Sequence, residues 1–424
     1  MARGDTEAIS RRHLELVSAP LTHTFEPMGD PREEIKRMPR YPAFDPYVSR
    51  PNRSSYSKLA ARVNGRGGPV YPLHIGDTWL EPAAGCRMED LSVSTYPGMH
   101  KYSPVNGRSP LLSAIADRSR TSGDTPAETN EILVTAGATS GLFALAATLL
   151  SPGDEVLVIA PYWPLIGNAI TCAGAKAVPV PFFETAHNPA SAMETLSSHL
   201  TNKTVAIYWN TPHNPTGKLI PAAWLEAMAK WAAEQNLWII SDEVYEHYVF
   251  QGTHQYSRPF APERTISAYS FSKAYGMAGN RVGYLMGPAS VMTAVQRISR
   301  NSFYSVSTAG QIAAELALAG PGDRWAQKAA VQYRELGHFA AEKLGVPAPE
   351  GSTFLFLDVR DALDDRGLDG FLESCADRGL LVAPGTSFGP YEHHIRVCFT
   401  CAEPTIVRSG VNILAGLLGK THFG

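Results

Sequence analysis

Between residues 131 and 287 the sequence keeps returning to short apolar runs with helix-patterned stretches between them. EILVT (131–135), EVLVIA (155–160), KAVPV (176–180), KTVAIYW (203–209), LWIISD (237–242), RTISAYS (264–270) and VGYLMG (282–287) read as strands. SGLFALAATLL (140–150), a stretch near 164–173 and AAWLEAMAKWAAEQN (222–236) read as helices. A strand that is apolar at every position has both faces buried. Alternation of such strands with helices therefore predicts an α/β fold, with a mostly parallel seven-stranded sheet covered on both sides.

After a helix near 308–319 the rhythm changes. TFLFLDV (353–359), LLVAP (380–384) and HIRVCF (394–399) read as strands among helical stretches at 325–344, 361–378 and 403–418. These predict a smaller α/β unit. Residues 1 to about 72 are rich in Pro, Arg and Ser, and Pro27, Pro31, Pro39, Pro42, Pro46 and Pro51 would break any long helix there. Tyr41, Phe44, Tyr47 and Tyr56 give that segment something to bury, which favours an arm over disorder. The expected organisation is an N-terminal arm (1–45), the first part of the small domain (46–98), a large domain (99–320) and the rest of the small domain (321–424).

Composition removes several classes of function. Lys and Arg number 37 against 40 Asp and Glu, a formal charge of −3, so the chain lacks the basic field that nucleic acid or anionic lipid requires. Its longest apolar stretches fall short of the ~20 residues of a membrane span. Five cysteines in 424 residues make no disulfide framework. Without an apolar signal segment at the N-terminus, a cytoplasmic protein is expected.

In open parallel sheets ligands sit beyond the carboxyl ends of the strands. Here those ends carry Asp242 and Tyr245, then Ser270, Ser272 and Lys273, then the loop Asn214-Pro215-Thr216-Gly217. They also carry Trp163 and a small-residue turn, Gly137-Ala138-Thr139-Ser140, that opens a helix. Each alone has a plain structural reading: a capped helix start, a turn, a solvated lysine, a core indole. The Gly137 turn fits neither the P-loop nor the dinucleotide-binding glycine pattern. Cys398-x-x-Cys401 has no second cysteine pair to complete a zinc site, so core packing is expected and no metal.

Taken together, G-A-T-S, P-Y-W-P, N-T-P-H-N-P-T-G, S-D-E-V-Y and S-F-S-K-A-Y-G-M-A-G-N-R-V-G, in this order, resemble the class I/II aminotransferases, pyridoxal-phosphate enzymes of fold type I. The likeness runs from about Gly76 to Arg396. It implies that Lys273 forms a Schiff base with the cofactor aldehyde and shuttles the substrate proton. It further implies that Asp242 pairs with the pyridinium nitrogen, and that Tyr245 and Asn214 bond the phenolate oxygen. Trp163 would stack on the ring. Gly137, Ala138, Thr139, Ser270, Ser272 and Arg281 would hold the phosphate. Tyr102 would reach the phosphate of a neighbouring subunit, implying a homodimer with shared sites. Arg396 would take the substrate α-carboxylate, and Gly76 would touch the substrate through its backbone.

The implied activity is transfer of an amino group from an L-amino acid to a 2-oxo acid by a ping-pong route. A lyase or cyclising synthase on the same scaffold is the alternative. A ligand-sensing domain without catalysis is disfavoured by the intact Lys/Asp/Tyr/Arg set. G-D-T-W-L-E-P departs from the family at the proline that often follows Gly76 by two residues. Arg300 lies near, but out of register with, the arginine of dicarboxylate-specific members. His213 is expected to border the cofactor pocket.

Overall fold

Strand formation follows the apolar runs closely. The computed structural model describes residues 56–420. Seven strands, β2 (Ile132–Thr135), β3 (Glu155–Ile159), β4 (Lys176–Val180), β5 (Thr204–Asn210), β6 (Trp238–Asp242), β7 (Thr265–Ser270) and β8 (Gly283–Met286), join in the order β2-β8-β7-β6-β5-β3-β4. A two-residue strand, β1 (Tyr71–Pro72), precedes them in the chain. Only β8 runs antiparallel to its neighbours. The expected mostly parallel α/β sheet is therefore what forms.

Burial explains why these strands lack alternation. Val156 and Val158 of β3 pack in the layer with Leu142, Leu145 and Ile170, whereas Leu157 and Ile159 pack on the other face with Leu225, Met228 and Trp231. Each such side chain contributes about 1.5–3 kcal/mol when fully buried. A single polar residue facing either layer would forfeit that gain.

The second sheet is β9 (Phe354–Asp358), β12 (His394–Cys398) and β11 (Ala383–Pro384), all antiparallel, in the order β11-β12-β9. The expected single strand LLVAP is two pieces. β10 (Leu380–Leu381) pairs with β1, and β11 pairs with β12, so the chain changes partner at Val382. The expected helix 361–378 is also shorter, Gly367–Ala376. Asp364 accepts from the Arg366 amide and Gly367 takes φ +61°, which turns the chain before the helix starts.

Past the last arm proline the chain does form a helix, Tyr56–Arg66, a correction to the reading of this segment as unpatterned. Leu59 and Val63, one turn apart, are buried against the helices that flank β9 and β12, and Arg62 pairs with Asp377 at 2.6 Å. The rest of the arm, with Tyr41, Phe44 and Tyr47, lies outside the described residues. Three further helices carried too mixed a pattern to be read beforehand: Ser109–Thr121, Pro189–Ser198 and Ala289–Ser302. Among the described residues no helix is long and apolar enough to cross a membrane.

Candidate active site

Strand pairing collects the polar residues at one crest. Asn210 at the end of β5 lies beside Asp242 at the end of β6. Ser270, ending β7, lies opposite Gly283 of β8, which in turn lies opposite Thr135, two residues before Gly137. Gly283 is required here, because a Cβ would sit 2.6 Å from the Ala138 amide nitrogen. The first turn of helix Ala138–Leu149 is thus set down on the sheet edge.

Above this crest is a cavity of about 330 Å³. Gly76, Ala138, Thr139, Trp163, Asn214, Asp242, Tyr245, Ser270, Ser272, Lys273, Arg281 and Arg396 all line it. Twelve residues singled out in the sequence, spread over more than three hundred positions, therefore share one wall system. Gly137 stands just behind it, at φ +79°, as the N-cap of the helix. No side chain caps that helix, so its first amides are available to an anion. A Cβ on Gly137 would collide with the Arg281 guanidinium. Arg281 donates to Ser272 Oγ (3.3 Å) and to the carbonyls of Ala278 (2.9 Å) and Ala136 (3.3 Å). Ser270 Oγ accepts from the Ser272 amide. Amides, hydroxyls and a guanidinium form an anion cup.

Asp242, which lines the same cavity, is buried. Tyr208 Oη donates to Asp242 Oδ2 at 2.7 Å and the Val244 amide to Oδ1 at 3.3 Å. Burial pushes the Asp242 carboxyl up to about 6, with the Tyr208 bond working against the shift. Among the described residues no cation offsets its charge. Asn210 Nδ2 donates to the Asp242 carbonyl at 2.6 Å, and Asn210 Oδ1 accepts from the Asn214 amide at 2.6 Å. Asn214 Oδ1 then accepts from Arg396 Nη1 at 3.0 Å. One chain of bonds thus runs from the end of β6 to β12.

Arg396 is buried on β12. Nη2 donates to the His74 carbonyl at 2.7 Å, and the guanidinium lies 4.2 Å over the Phe354 ring and 4.7 Å from that of Phe388. These contacts fix the fork in one plane. Gly76 is required beside it, because a Cβ would press on Phe354. Lys273 Nζ donates to the Gly76 carbonyl, and burial pulls the amine below the usual lysine range. Tyr245 is buried edge-on to Phe354 with its phenol raised by burial.

Three residues singled out in the sequence lie outside this cavity. Tyr102 lies outside the cavity and is 85% exposed, edge-on to Tyr304 at 5.2 Å. His213 does not line the cavity. Its Nδ1 bonds Thr216 Oγ1 at 2.8 Å, its ring packs on Phe183, and burial pulls it down to about 3, so it is a neutral core residue that braces the loop. Arg300 is exposed on helix Ala289–Ser302, away from the cavity.

Cys398 is buried and Cys401 Sγ bonds the Cys398 carbonyl, so the pair packs locally. No metal-binding cluster occurs among the described residues. Tyr208, Asn210 and Phe354 were missed. The first two share a strand face by period 2, but only the pairing of β5 with β6 shows that this face looks at Asp242.

A model of the aminotransferase class I and II family matches residues 83–409. The chain belongs to that family. It is 32% identical over 333 residues to the aspartate/prephenate aminotransferase of Thermus thermophilus, covering 76% of this chain and 84% of that protein. It is 31% identical over 357 residues to an arginine–pyruvate transaminase of Pseudomonas aeruginosa, covering 82% and 90%. Among solved structures, a Thermus thermophilus aspartate aminotransferase double mutant superposes with a TM-score of 0.81 at 28% identity, over 89% of this chain and 100% of that one. The protein is an aminotransferase, and its family uses pyridoxal phosphate.

Proposed function

We propose that this aminotransferase binds pyridoxal phosphate in the 330 Å³ cavity and moves an amino group from an L-amino acid to a 2-oxo acid in two half-reactions. The observation that carries the reading is Asp242: a buried carboxylate that faces the same cavity as Lys273 and forms no ion pair among the described residues. A protonated ring nitrogen supplies the missing charge, while the uncapped helix and Arg281 suit a phosphate at the other end. The residues fit the cofactor at both poles. When bound, the cofactor supplies an aldehyde that condenses with amines and a ring that takes up carbanion charge.

Lys273 would hold the cofactor through that aldehyde and, as a free amine, would carry the proton to and from the substrate Cα. Its burial supports this, since desolvation lowers the amine below the usual lysine range and so favours the free base. Asp242 holds the proton on the ring nitrogen. Tyr245 and the Asn214 amide, whose oxygen is committed to Arg396, donate to the ring oxygen. Trp163 covers the ring face. Ala138, Thr139, Ser270, Ser272 and Arg281 hold the phosphate.

Arg396 receives the α-carboxylate in the plane set by Asn214 and His74, and so orients the Cα bond for proton removal. Gly76 leaves room for substrate beside Phe354. Tyr102, exposed beside Tyr304, is placed to reach a second copy of the chain, which supports a homodimer with shared sites. Residues 99–320 would be the large domain and 321–424 with 46–98 the small one, of which 46–55 and 421–424 lie outside the described residues.

The names of the relatives point to aspartate, prephenate, arginine and pyruvate, and do not converge on one substrate. The test is an amino-donor panel in single turnover. A true donor converts the bound cofactor to its amine form, with loss of visible absorbance, and a 2-oxo acid restores it. Release of ammonia or a thiol with the colour unchanged would mark a lyase instead. Undiminished turnover in Lys273→Ala would refute the assignment of the lysine.

A further inference from the structure

Lys273, Gly76 and Ser272 of the main cavity also border a second and much smaller pocket. Asp77, Thr78, Tyr333, Thr353 and Thr400 line it together with Lys273. Its volume, about 10 Å³, is the room of a single water molecule. The segment that supplies Asp77 is tightly held. The Thr400 hydroxyl donates to the Asp77 carbonyl at 2.7 Å, the Trp79 amide to the Thr400 carbonyl at 3.1 Å, and the Cys398 amide to the Leu73 carbonyl at 2.8 Å. Thr78 Oγ1 bonds Tyr333 Oη, and Asp77 Oδ1 accepts from the Thr78 amide at 2.9 Å. Lys273 in turn donates to Gly76, the residue before Asp77. A tightly held loop therefore carries an exposed aspartate that borders the same small pocket as the lysine, one residue beyond the carbonyl the lysine bonds.

We infer that Asp77 is a positioning residue for Lys273, an acidic counter-charge across the small pocket they share that keeps its amine a strong enough base to accept and return the substrate proton. The inference rests on the reading of Lys273 as the proton carrier. Its logic is a balance. Burial alone drives a lysine toward permanent neutrality, and an amine that never holds a proton cannot deliver one. A base works best when its pKa lies near the working pH.

The groups around Lys273 act in both directions. Arg396 on β12 and Arg281 after β7 press its basicity down, whereas Asp77 and, on β12, Cys398 raise it. Tyr248 touches the lysine only through its backbone carbonyl, at 2.8 Å. Asp242 and Tyr245 face it across the main cavity. Because Asp77 is exposed, its influence is subject to salt.

The experiment reads the lysine itself rather than turnover. Cofactor-free protein is treated with limiting acetic anhydride across pH 6–11 at low salt, and acetylation of the Lys273 peptide is quantified by mass spectrometry. Asp77→Asn should shift the titration midpoint downward, raising the rate about threefold at pH 8, and 1 M KCl should erase most of the difference. Asp77→Glu should restore the wild-type curve. An unchanged unfolding midpoint in Asp77→Asn shows that the loop is intact. The same Lys273 titration in wild type and Asp77→Asn at low salt would overturn the inference. So would a shift that survives 1 M salt, since that would mark a structural change instead. Neither result depends on whether Lys273 binds the cofactor, which separate cofactor labelling decides.

Discussion

Asp124 and Asp242 are alike in almost everything except what faces them. Both are buried, both accept a tyrosine hydroxyl on Oδ2 (from Tyr269 at 2.6 Å and Tyr208 at 2.7 Å), and both accept a backbone amide on Oδ1. Burial pushes each up to about 6. Asp124, however, has Arg258 at 3.2 Å, whereas Asp242 has the cavity. The fold satisfies the first charge from within. It leaves the second to a ligand, and that difference separates a structural carboxylate from a functional one.

The same substitution at the two sites should break the comparison most sharply. Asp242→Asn should reduce single-turnover rate by about a thousandfold, because a neutral amide no longer holds the ring nitrogen protonated. Stability of the cofactor-free protein, measured by urea unfolding at pH 7, should be unchanged or higher. Asp124→Asn should do the reverse. It leaves Arg258 buried without its counter-charge, at a cost of about 3–5 kcal/mol, while the folded fraction keeps its cofactor spectrum. Equal losses of stability in the two variants would remove the distinction.

Smaller effects sharpen it. Tyr208→Phe should raise the Asp242 pKa further and lower turnover about tenfold, whereas Tyr269→Phe should cost about 1 kcal/mol of stability and leave turnover alone. Paired kinetics and urea titrations distinguish these. The pH dependence follows from the raised carboxyls. Between about pH 4 and 6 the folded cofactor-free protein binds more protons than the unfolded chain, so these two groups make stability fall as pH rises through that window. A cation opposite Asp242 pulls its pKa back down. The thermal stabilisation on adding cofactor should therefore be larger at pH 8 than at pH 5, and Asp242→Asn should flatten that dependence.

Much of the fold and of the site, though not this contrast, is legible in the sequence. β2 to β8 were legible because both of their faces are buried and their sequences are apolar throughout. The site was legible because Lys273, Asp242 and Asn214 fall just beyond strand ends. Asp124 was not noticed, since it lies in a polar turn, Ser122-Gly123-Asp124-Thr125, and its partner Arg258 is 134 residues away. Tyr208 and Asn210 were hidden inside a strand whose inward faces are otherwise apolar, and only the β5–β6 register reveals what they touch. The split of LLVAP depends on which strand each half pairs with, which no local pattern encodes. The helix Tyr56–Arg66 was obscured by the prolines before it.

The central claim is that Lys273 and Asp242 serve one bound cofactor. Borohydride reduction of the protein saturated with pyridoxal phosphate, followed by peptide mapping, tests it most directly. The account predicts a single phosphopyridoxyl group on the peptide containing Lys273, with markedly weaker uptake in Asp242→Asn. Labelling of a different lysine, or no stable adduct at all, would contradict it.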